Sequence, residues 1–259
     1  MTGTNHERLV LQPRDQRLLG ELAVMRVIDR EQAKPVAGFG STTRANRRLL
    51  ALTRAGLLRR FFQGTILGGR KAIYCLSPRG ASLIGAPLES VPGRPGKTLI
   101  ANPLLEHRTR INTVYVAVKH RVIPIQGVRF RRWISFSEPL STNAAIIPDG
   151  YFELESPEGV LAMFLEIDLG TEALRRWEMK AQAYLRFAVN GEFPKTFEHH
   201  RFRVLVLAHS QRRLREIRRV VARLTDKIFW FSAFDSAGAL DFWSLRWLRP
   251  RGEERRPLV

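Results

Sequence analysis

The chain has 259 residues, 44% of them hydrophobic, with five Trp and with 43 Lys/Arg against 24 Asp/Glu, a formal net charge of +19. This composition excludes a disordered chain and allows one large core or two small ones, while a single cysteine, Cys75, excludes an internal disulfide and a Cys-rich zinc site. So basic a surface attracts polyanions; nucleic acid is the usual one, and an anionic membrane surface is the competitor.

The N-terminus is polar and charged, with no stretch resembling a signal peptide. No apolar run approaches the roughly 20 residues of a membrane-spanning helix. The expectation is a cytoplasmic protein without a membrane partner. Charge is uneven along the chain. Residues 1–100 hold 17 basic and 6 acidic side chains, residues 101–198 hold 12 of each, and residues 199–259 hold 14 and 6. Within the neutral block, residues 138–178 carry 9 acidic and 2 basic groups. Two basic flanks around an acidic centre suit a protein that grips DNA and presents a metal site to it; ordinary surface variation is the alternative.

Residues 8–84 read as a helical unit closed by a hairpin. A first helix spans about Arg14 to Val24, with Leu18, Leu19 and Leu22 on one side. A second runs from about Asp29 to Lys34, ended by Pro35. Gly38-Phe39-Gly40 turns the chain, and Ser41 is a good N-cap for a third helix, Thr42 to Ala55. In that helix Ala45, Leu49 and Leu52 recur at core spacing, while Arg44, Arg47, Ala51 and Arg54 line another face with Asn46 and Arg48 beside them. Gly56 stops it. Strands at 57–63 and 72–77 flank a turn bearing Gly64, Gly68, Gly69, Arg70 and Lys71, and Pro78-Arg79-Gly80 opens a short helix.

This order, with its Gly56-Leu57-Leu58 exit and its Leu76-Ser77-Pro78-Arg79-Gly80 ending, resembles the winged helix-turn-helix fold of bacterial regulators. The resemblance implies a third helix in the DNA major groove and a wing on phosphate or minor groove. Arg44, Asn46 and Arg47 would then meet base edges, where Arg and Asn make bidentate contacts. Arg59, Arg60, Arg70 and Lys71 would meet the backbone, with Arg48 and Arg54 completing the basic set. The alternative is a solvated arginine face on a protein-binding unit.

Residues 85–98, rich in Pro and Gly, read as a linker. A second domain, 99–248, starts with a helix from about Pro103 to His120. Strands follow at 128–136, 150–155 and 160–168, then a long helix from about Thr171 to Val189 and a strand at 202–208. A basic helix from about Gln211 to Leu224 and strands near 227–234 and 241–245 complete it. The fold class is therefore α+β or α/β, with a central mixed sheet in the second domain. The tail, 249–259, is expected to fray. The Arg-rich helix reads as a DNA-backbone contact or a solvated face, His199-His200 as a surface pair, and Trp230, Trp243 and Trp247 as core or interface.

Pro148-Asp149-Gly150 precedes one strand, and Glu166-Ile167-Asp168 ends the next. Strand periodicity puts Glu166 and Asp168 on one face, with Cα atoms roughly 7 Å apart. The element order and the Asp149–Glu166 pair resemble the PD-(D/E)xK nuclease superfamily, which implies that Asp149, Glu166 and Asp168 hold Mg²⁺. That pattern places a lysine two residues after the Glu, where this chain has Asp168. Lys180 on the following helix is the candidate substitute, beside the stripe Leu174, Trp177, Ala181, Tyr184; a surface lysine paired with a carboxylate is the alternative. Glu106 is a further candidate ligand. Asp168 in the lysine position also admits a degenerate nuclease fold used for dimerisation or protein binding.

The longer string, Pro148-Asp149-Gly150-Tyr151-Phe152 through Phe164-Leu165-Glu166-Ile167-Asp168-Leu169-Gly170-Thr171-Glu172 to Trp177, Lys180 and Tyr184, is similar to the replication-relaxation family. These are winged-helix proteins of plasmids and integrated mobile elements. The resemblance implies double-stranded DNA as partner, with replication or transfer proteins beside it. The leading expectation is a DNA-binding protein acting in replication, relaxation, transfer or their regulation. The alternatives are a Mg²⁺-dependent endonuclease or nickase using Asp149, Glu166, Asp168 and Lys180, and a repressor whose second domain makes a homodimer.

Overall fold

The computed structural model describes residues 9–64, 69–86, 98–99 (backbone), 103–234 and 241–259. Among these residues there are eight α-helices and two mixed sheets, an α+β architecture. The chain divides into two compact units, Met1–Asn112 and Thr113–Val259.

In the first unit, α1 (Pro13–Met25) starts with Pro at its first turn, and Asp15 closes its N-terminus by accepting the Gln12 N–H at 2.7 Å. The two-residue strand β1 (Ile28–Asp29) leads into α2 (Arg30–Ala37), where Asp29 and Gln32 form a capping box. Pro35 does not end α2 as expected. Val36 and Ala37 are buried and carry the helix one turn further, and Gly38, at φ +65°, ends it in the left-handed conformation. Ser41 Oγ accepts the Arg44 N–H at 3.2 Å and caps α3 (Thr42–Arg54).

The hairpin β2 (Leu58–Gly64) and β3 (Arg70–Leu76) pairs antiparallel from Leu58↔Leu76 to Gly64↔Arg70. The tip of its turn, including Gly68, lies outside the described residues. After α4 (Pro78–Leu83), most of the expected linker (87–97) also lies outside them. Strand β4 (Thr98–Leu99) pairs parallel with β2, and the sheet order is β1-β3-β2-β4. The core joins Leu18, Leu19 and Leu22 of α1, Ala33 and Val36 of α2, Ala45, Leu49 and Leu52 of α3, and Phe61 and Ile73 of the hairpin.

The unit boundary falls later than the 85–98 segment expected from composition. Helix α5 (Pro103–Lys119) begins within the first unit. Its Leu105 joins Val27, Phe61, Ile73 and Cys75 in one cluster. The buried Asn112 donates to the carbonyls of Met25 at 3.0 Å and Val27 at 2.7 Å, satisfying the chain exit from α1. Gly80 explains the Pro-Arg-Gly ending: a Cβ there would stand 2.1 Å from the Leu57 carbonyl oxygen. Gly80→Ala is expected to lower stability by about 2 kcal/mol or more, since backbone rather than a pliable side chain must yield; a urea midpoint equal to wild type would refute this.

In the second unit, β5 (Arg129–Ile134), β6 (Gly150–Ser156) and β7 (Gly159–Asp168) form an antiparallel meander. Helix α6 (Leu174–Val189) and the short α7 (Glu192–Phe197) follow, then β8 (Arg203–Ala208), parallel to β7. Helix α8 (Gln211–Ala222) returns the chain to β9 (Phe229–Ala233), parallel to β8. With two short strands near the end of the chain, β10 (Trp247–Leu248) and β11 (Arg255–Arg256), the order of the seven-stranded mixed sheet is β11-β10-β9-β8-β7-β6-β5. Residues 242–244 form a 3₁₀ turn where a strand was expected, and the strand comes later, at β10 (Trp247–Leu248). Trp247 is buried, and Trp243 Nε1 donates to the Ala117 carbonyl at 3.1 Å.

The frayed tail is not observed. Strand β11 (Arg255–Arg256) pairs with β10, Leu258 is buried, and the Leu258 carbonyl accepts from Arg203 at 2.5 Å. The core beneath α6 is aromatic: Tyr151, Phe164, Tyr184, Phe187, Phe193, Phe197 and Phe202 pack with centroids 4.3–6.3 Å apart.

Candidate functional site

Strand alternation sends Glu166 and Asp168 out of the same face of β7, and α6 carries Trp177, Lys180 and Tyr184 past them. Glu166 is fully buried. Its Oε1 accepts the Tyr184 hydroxyl at 2.6 Å and its Oε2 accepts the Lys180 ammonium at 2.8 Å. Lys180 also meets Glu172 at 2.9 Å and lies 4.9 Å from the Trp177 ring centre. Asp149, just before β6, accepts the Ile167 N–H at 2.7 Å. Its charge acts on Glu166, Lys180 and Tyr184. Of the two readings of Lys180, the geometry shows a largely buried ammonium between carboxylates.

These contacts set the protonation states. Burial pushes Glu166 above the ordinary carboxylate value; Lys180 opposes that, and Asp149 adds to it. Burial alone would lower Lys180, but Glu166, Glu172 and Asp149 outweigh it and hold the ammonium above its usual range. Burial, then Glu166, pushes Tyr184 well up, so the phenol stays a donor.

Asp168 is occupied differently. Oδ1 accepts Gly170 N–H at 2.7 Å and Arg213 Nε at 2.8 Å, while Oδ2 accepts Trp177 Nε1 at 2.6 Å and Arg213 Nη2 at 2.9 Å. Burial would raise its pKa, but Arg213, Trp177 and the Gly170 amide together hold it below the ordinary value. Gly170 is required here twice over. Its φ is +83°, and a Cβ would lie 2.5 Å from the His209 ring. Arg213 also donates to the Glu172 carbonyl at 2.5 Å, so one guanidinium ties β7, the turn after it and α8 together.

Mg²⁺ takes oxygen ligands in near-octahedral geometry at about 2.0–2.1 Å. Both oxygens of Glu166 and both of Asp168 already accept from protein donors, several of them cationic. Among the described residues, no group of three or more His, Cys, Asp or Glu is arranged to hold a metal. The convergence of Asp149, Glu166 and Asp168 on one ion therefore does not fit these side chains; two cations of the protein, Lys180 and Arg213, neutralise them instead. Glu106 lies in the first unit, half-exposed, 3.7 Å from Arg110.

Three partners were not legible from spacing. Arg213 lies 45 residues after Asp168, and nothing local marks it among its neighbouring arginines. Glu172 and Tyr184 belong to the recognised string, but their bonds to Lys180 and Glu166 emerge only when α6 is docked. A further buried carboxylate, Glu153, accepts from Arg132 at 2.6 Å and Tyr151 at 2.7 Å and lies 3.0 Å from His199 Nε2. His199 is thus a partly buried partner of Glu153 rather than a surface residue.

In the first unit, Arg44, Asn46, Arg47 and Arg54 are exposed along α3, and among the described residues no carboxylate pairs with these arginines. Arg59 and Arg60 on β2 are half-buried, with Arg60 5.0 Å from the Phe62 ring centre, and Arg70 is exposed. Arg48 and Lys71 differ. Arg48 donates to the fully buried Asp15 through Nε at 2.8 Å and Nη2, and to the Val10 carbonyl at 2.7 Å. Lys71 pairs with Asp29.

The molecule is thus a two-unit α+β protein with an exposed arginine row on its first unit and an internally neutralised acidic network on its second. A family model described as replication-relaxation matches residues 14–198, and the chain belongs to the replication-relaxation family. The match takes in the α3 row and the Asp149–Lys180 network but ends before α8. No curated protein and no solved structure shows significant similarity to the chain.

Among the described residues, no helix is long and apolar enough to cross a membrane.

Proposed function

We propose that the protein binds double-stranded DNA through its first unit, read as a winged helix-turn-helix, and acts in replication or relaxation of a plasmid or integrated mobile element. The observation that carries this reading is the row Arg44, Asn46, Arg47 and Arg54, exposed on a capped helix and free of carboxylate partners among the described residues. The three helices followed by an antiparallel hairpin, with β1 on the other edge of β3, support the winged reading. Family membership supports the biological role.

The second unit supports a PD-(D/E)xK-like scaffold reading: three antiparallel strands, helices α6 and α7, then a strand parallel to the third, with Asp149 before β6 and Glu166 near the end of β7. Its carboxylates serve the fold. Wild-type protein is therefore expected to leave supercoiled plasmid intact in Mg²⁺ or Mn²⁺. Nicking that disappears in Asp149→Ala and Glu166→Ala would establish the endonuclease reading instead.

The test of DNA reading uses a duplex selected from a random library by the full chain. Arg47→Ala should lose about 1–3 kcal/mol of discrimination between selected and unselected duplex, the worth of one bidentate base contact. Arg70→Ala should weaken both duplexes alike and reduce the salt slope by about 1. Arg48→Ala should instead act on stability, because it leaves buried Asp15 unpaired. Full discrimination retained by Arg47→Ala would remove α3 as the reader.

A further inference from the structure

Helix α8 lies beyond the residues matched by the family and takes no part in the reading above, apart from Arg213. Its six arginines, counting the cap residue Arg223, divide by face. Arg213 and Arg218 point inward beside Leu214, Ile217 and Val221 and have defined partners: Arg213 holds Asp168, and Arg218 donates to the carbonyls of Arg249 at 3.0 Å and Gly252 at 2.5 Å. Arg212, Arg215, Arg219 and Arg223 are exposed at spacings of three, four and four. Among the described residues, of these four only Arg212 has a carboxylate partner, Glu216 at 3.2 Å. Among the described residues nothing engages the side chains of Arg215, Arg219 and Arg223.

Like charges at i,i+4 disfavour a helix, and a face that served only solubility would intersperse carboxylates. The stripe is linear: Arg212 to Arg223 covers about 16 Å of helix axis, the rise of roughly five phosphates along one DNA strand. The closing residues are fastened to the same helix. Arg251 donates to the Ala222 carbonyl at 2.9 and 3.1 Å, and the exposed Arg255 and Arg256 follow on β11. A lipid surface fits less well, because an interfacial helix lays its apolar face into the bilayer. The apolar side chains of α8 are buried or half-buried in the unit.

We propose that the outer face of α8 is a second, sequence-independent nucleic-acid surface that grips the phosphodiester backbone of duplex DNA. This deepens the DNA-binding reading but assigns the grip to a different unit and different residues. Arg215, Arg219 and Arg223 supply most of it, each neutralising a phosphate and releasing a counterion.

The test is a salt titration of the full chain on an unselected duplex of about 30 bp and on the selected duplex, followed by fluorescence anisotropy. The variant is Arg215→Gln/Arg219→Gln/Arg223→Gln, with the corresponding Lys triple as charge-retaining control. For the Gln triple, the slope of log K against log salt should become shallower by about 2.7, at about 0.9 per phosphate contact. Affinity should fall on both duplexes equally, and the ratio between them should persist. The Lys triple should keep most of the slope, and both should melt with wild type because the positions are exposed. An unchanged slope in the Gln triple overturns the proposal. So does an unchanged slope combined with lost adsorption to phosphatidylserine-containing vesicles, which would assign the face to a membrane. Arg47→Ala in the same titration separates the two ideas: a persistent preference for the selected duplex removes the winged unit as reader, whatever α8 does.

Discussion

Lys180→Met is expected to destabilise the second unit by about 3–5 kcal/mol, the usual penalty for removing one partner of a buried ion pair. Methionine fills the stem of the lysine but leaves Glu166, buried from solvent, with only the Tyr184 hydroxyl as donor among its present partners. Glu172 loses its ammonium at the same time. The sign of the pH dependence follows from Glu166. Its folded pKa is already above the ordinary 4.5 because of burial, and removing Lys180 takes away the main opposing influence. A carboxyl with a raised folded pKa is favoured by the fold when protonated, and that contribution is lost as pH rises through the folded value. The deficit of the variant should therefore grow as pH rises through the elevated folded pKa of Glu166 and shrink as pH falls below it toward 4.5. Urea midpoints at several pH values check this, and Lys180→Met/Glu166→Gln should recover part of the loss. A deficit independent of pH would mean that Glu166 is not the group left uncompensated.

The first unit was largely legible because its signals are local. Ser41 before Thr42 and the apolar recurrence Ala45, Leu49, Leu52 each act over a few residues, and both act as expected. Pro35 misled because burial of Val36 and Ala37 outweighs the one hydrogen bond a proline removes. The boundary misled for a related reason. Composition marks where the chain is rich in Pro and Gly, but Leu105 and Asn112 return to the first core after that stretch. In the second unit, periodicity placed β6, β7, α6 and β8 well. The tail failed because Arg255-Arg256 has no strand-like alternation; its place comes from pairing with β10 and from Arg203 and Arg218 binding its carbonyls.

The candidate site was legible in its residues but not in its chemistry. Asp149, Glu166, Asp168 and Lys180 were singled out, and Glu166 and Asp168 do share one face of β7. What spacing cannot show is where the compensating charges come from. Arg213 reaches Asp168 only because β8 runs parallel to β7 and delivers α8 to the carboxyl ends of both strands. An acidic cluster read along the sequence as a metal site is, once these cations arrive, a neutralised network.

Asp168→Asn discriminates the two meanings most sharply. Where carboxylates crowd around a metal, replacing one with its neutral isostere relieves repulsion in the metal-free protein and costs little stability. Here Asp168 accepts four N–H groups, from Gly170, Trp177 and twice from Arg213. Asparagine offers one acceptor oxygen and turns an NH₂ toward donors, leaving the Arg213 guanidinium, itself only 9% exposed, with Glu216 at 3.6 Å as its remaining carboxylate. The expected loss is about 3–5 kcal/mol, from breaking a buried pair and stranding its donors. The pH window differs from that of Lys180→Met. Asp168 has a folded pKa below its ordinary 3.8, so its contribution is present above that value and disappears as pH falls through the lower folded one. The gap between wild type and Asp168→Asn should be flat through neutral and mildly acidic pH and close only below 3.8, in acid where the Lys180→Met gap has already narrowed. Thermal melts of the two variants across pH measure both windows together. Wild-type stability in Asp168→Asn would show that the Arg213 latch does not hold the fold, and would restore Asp168 as a candidate ligand.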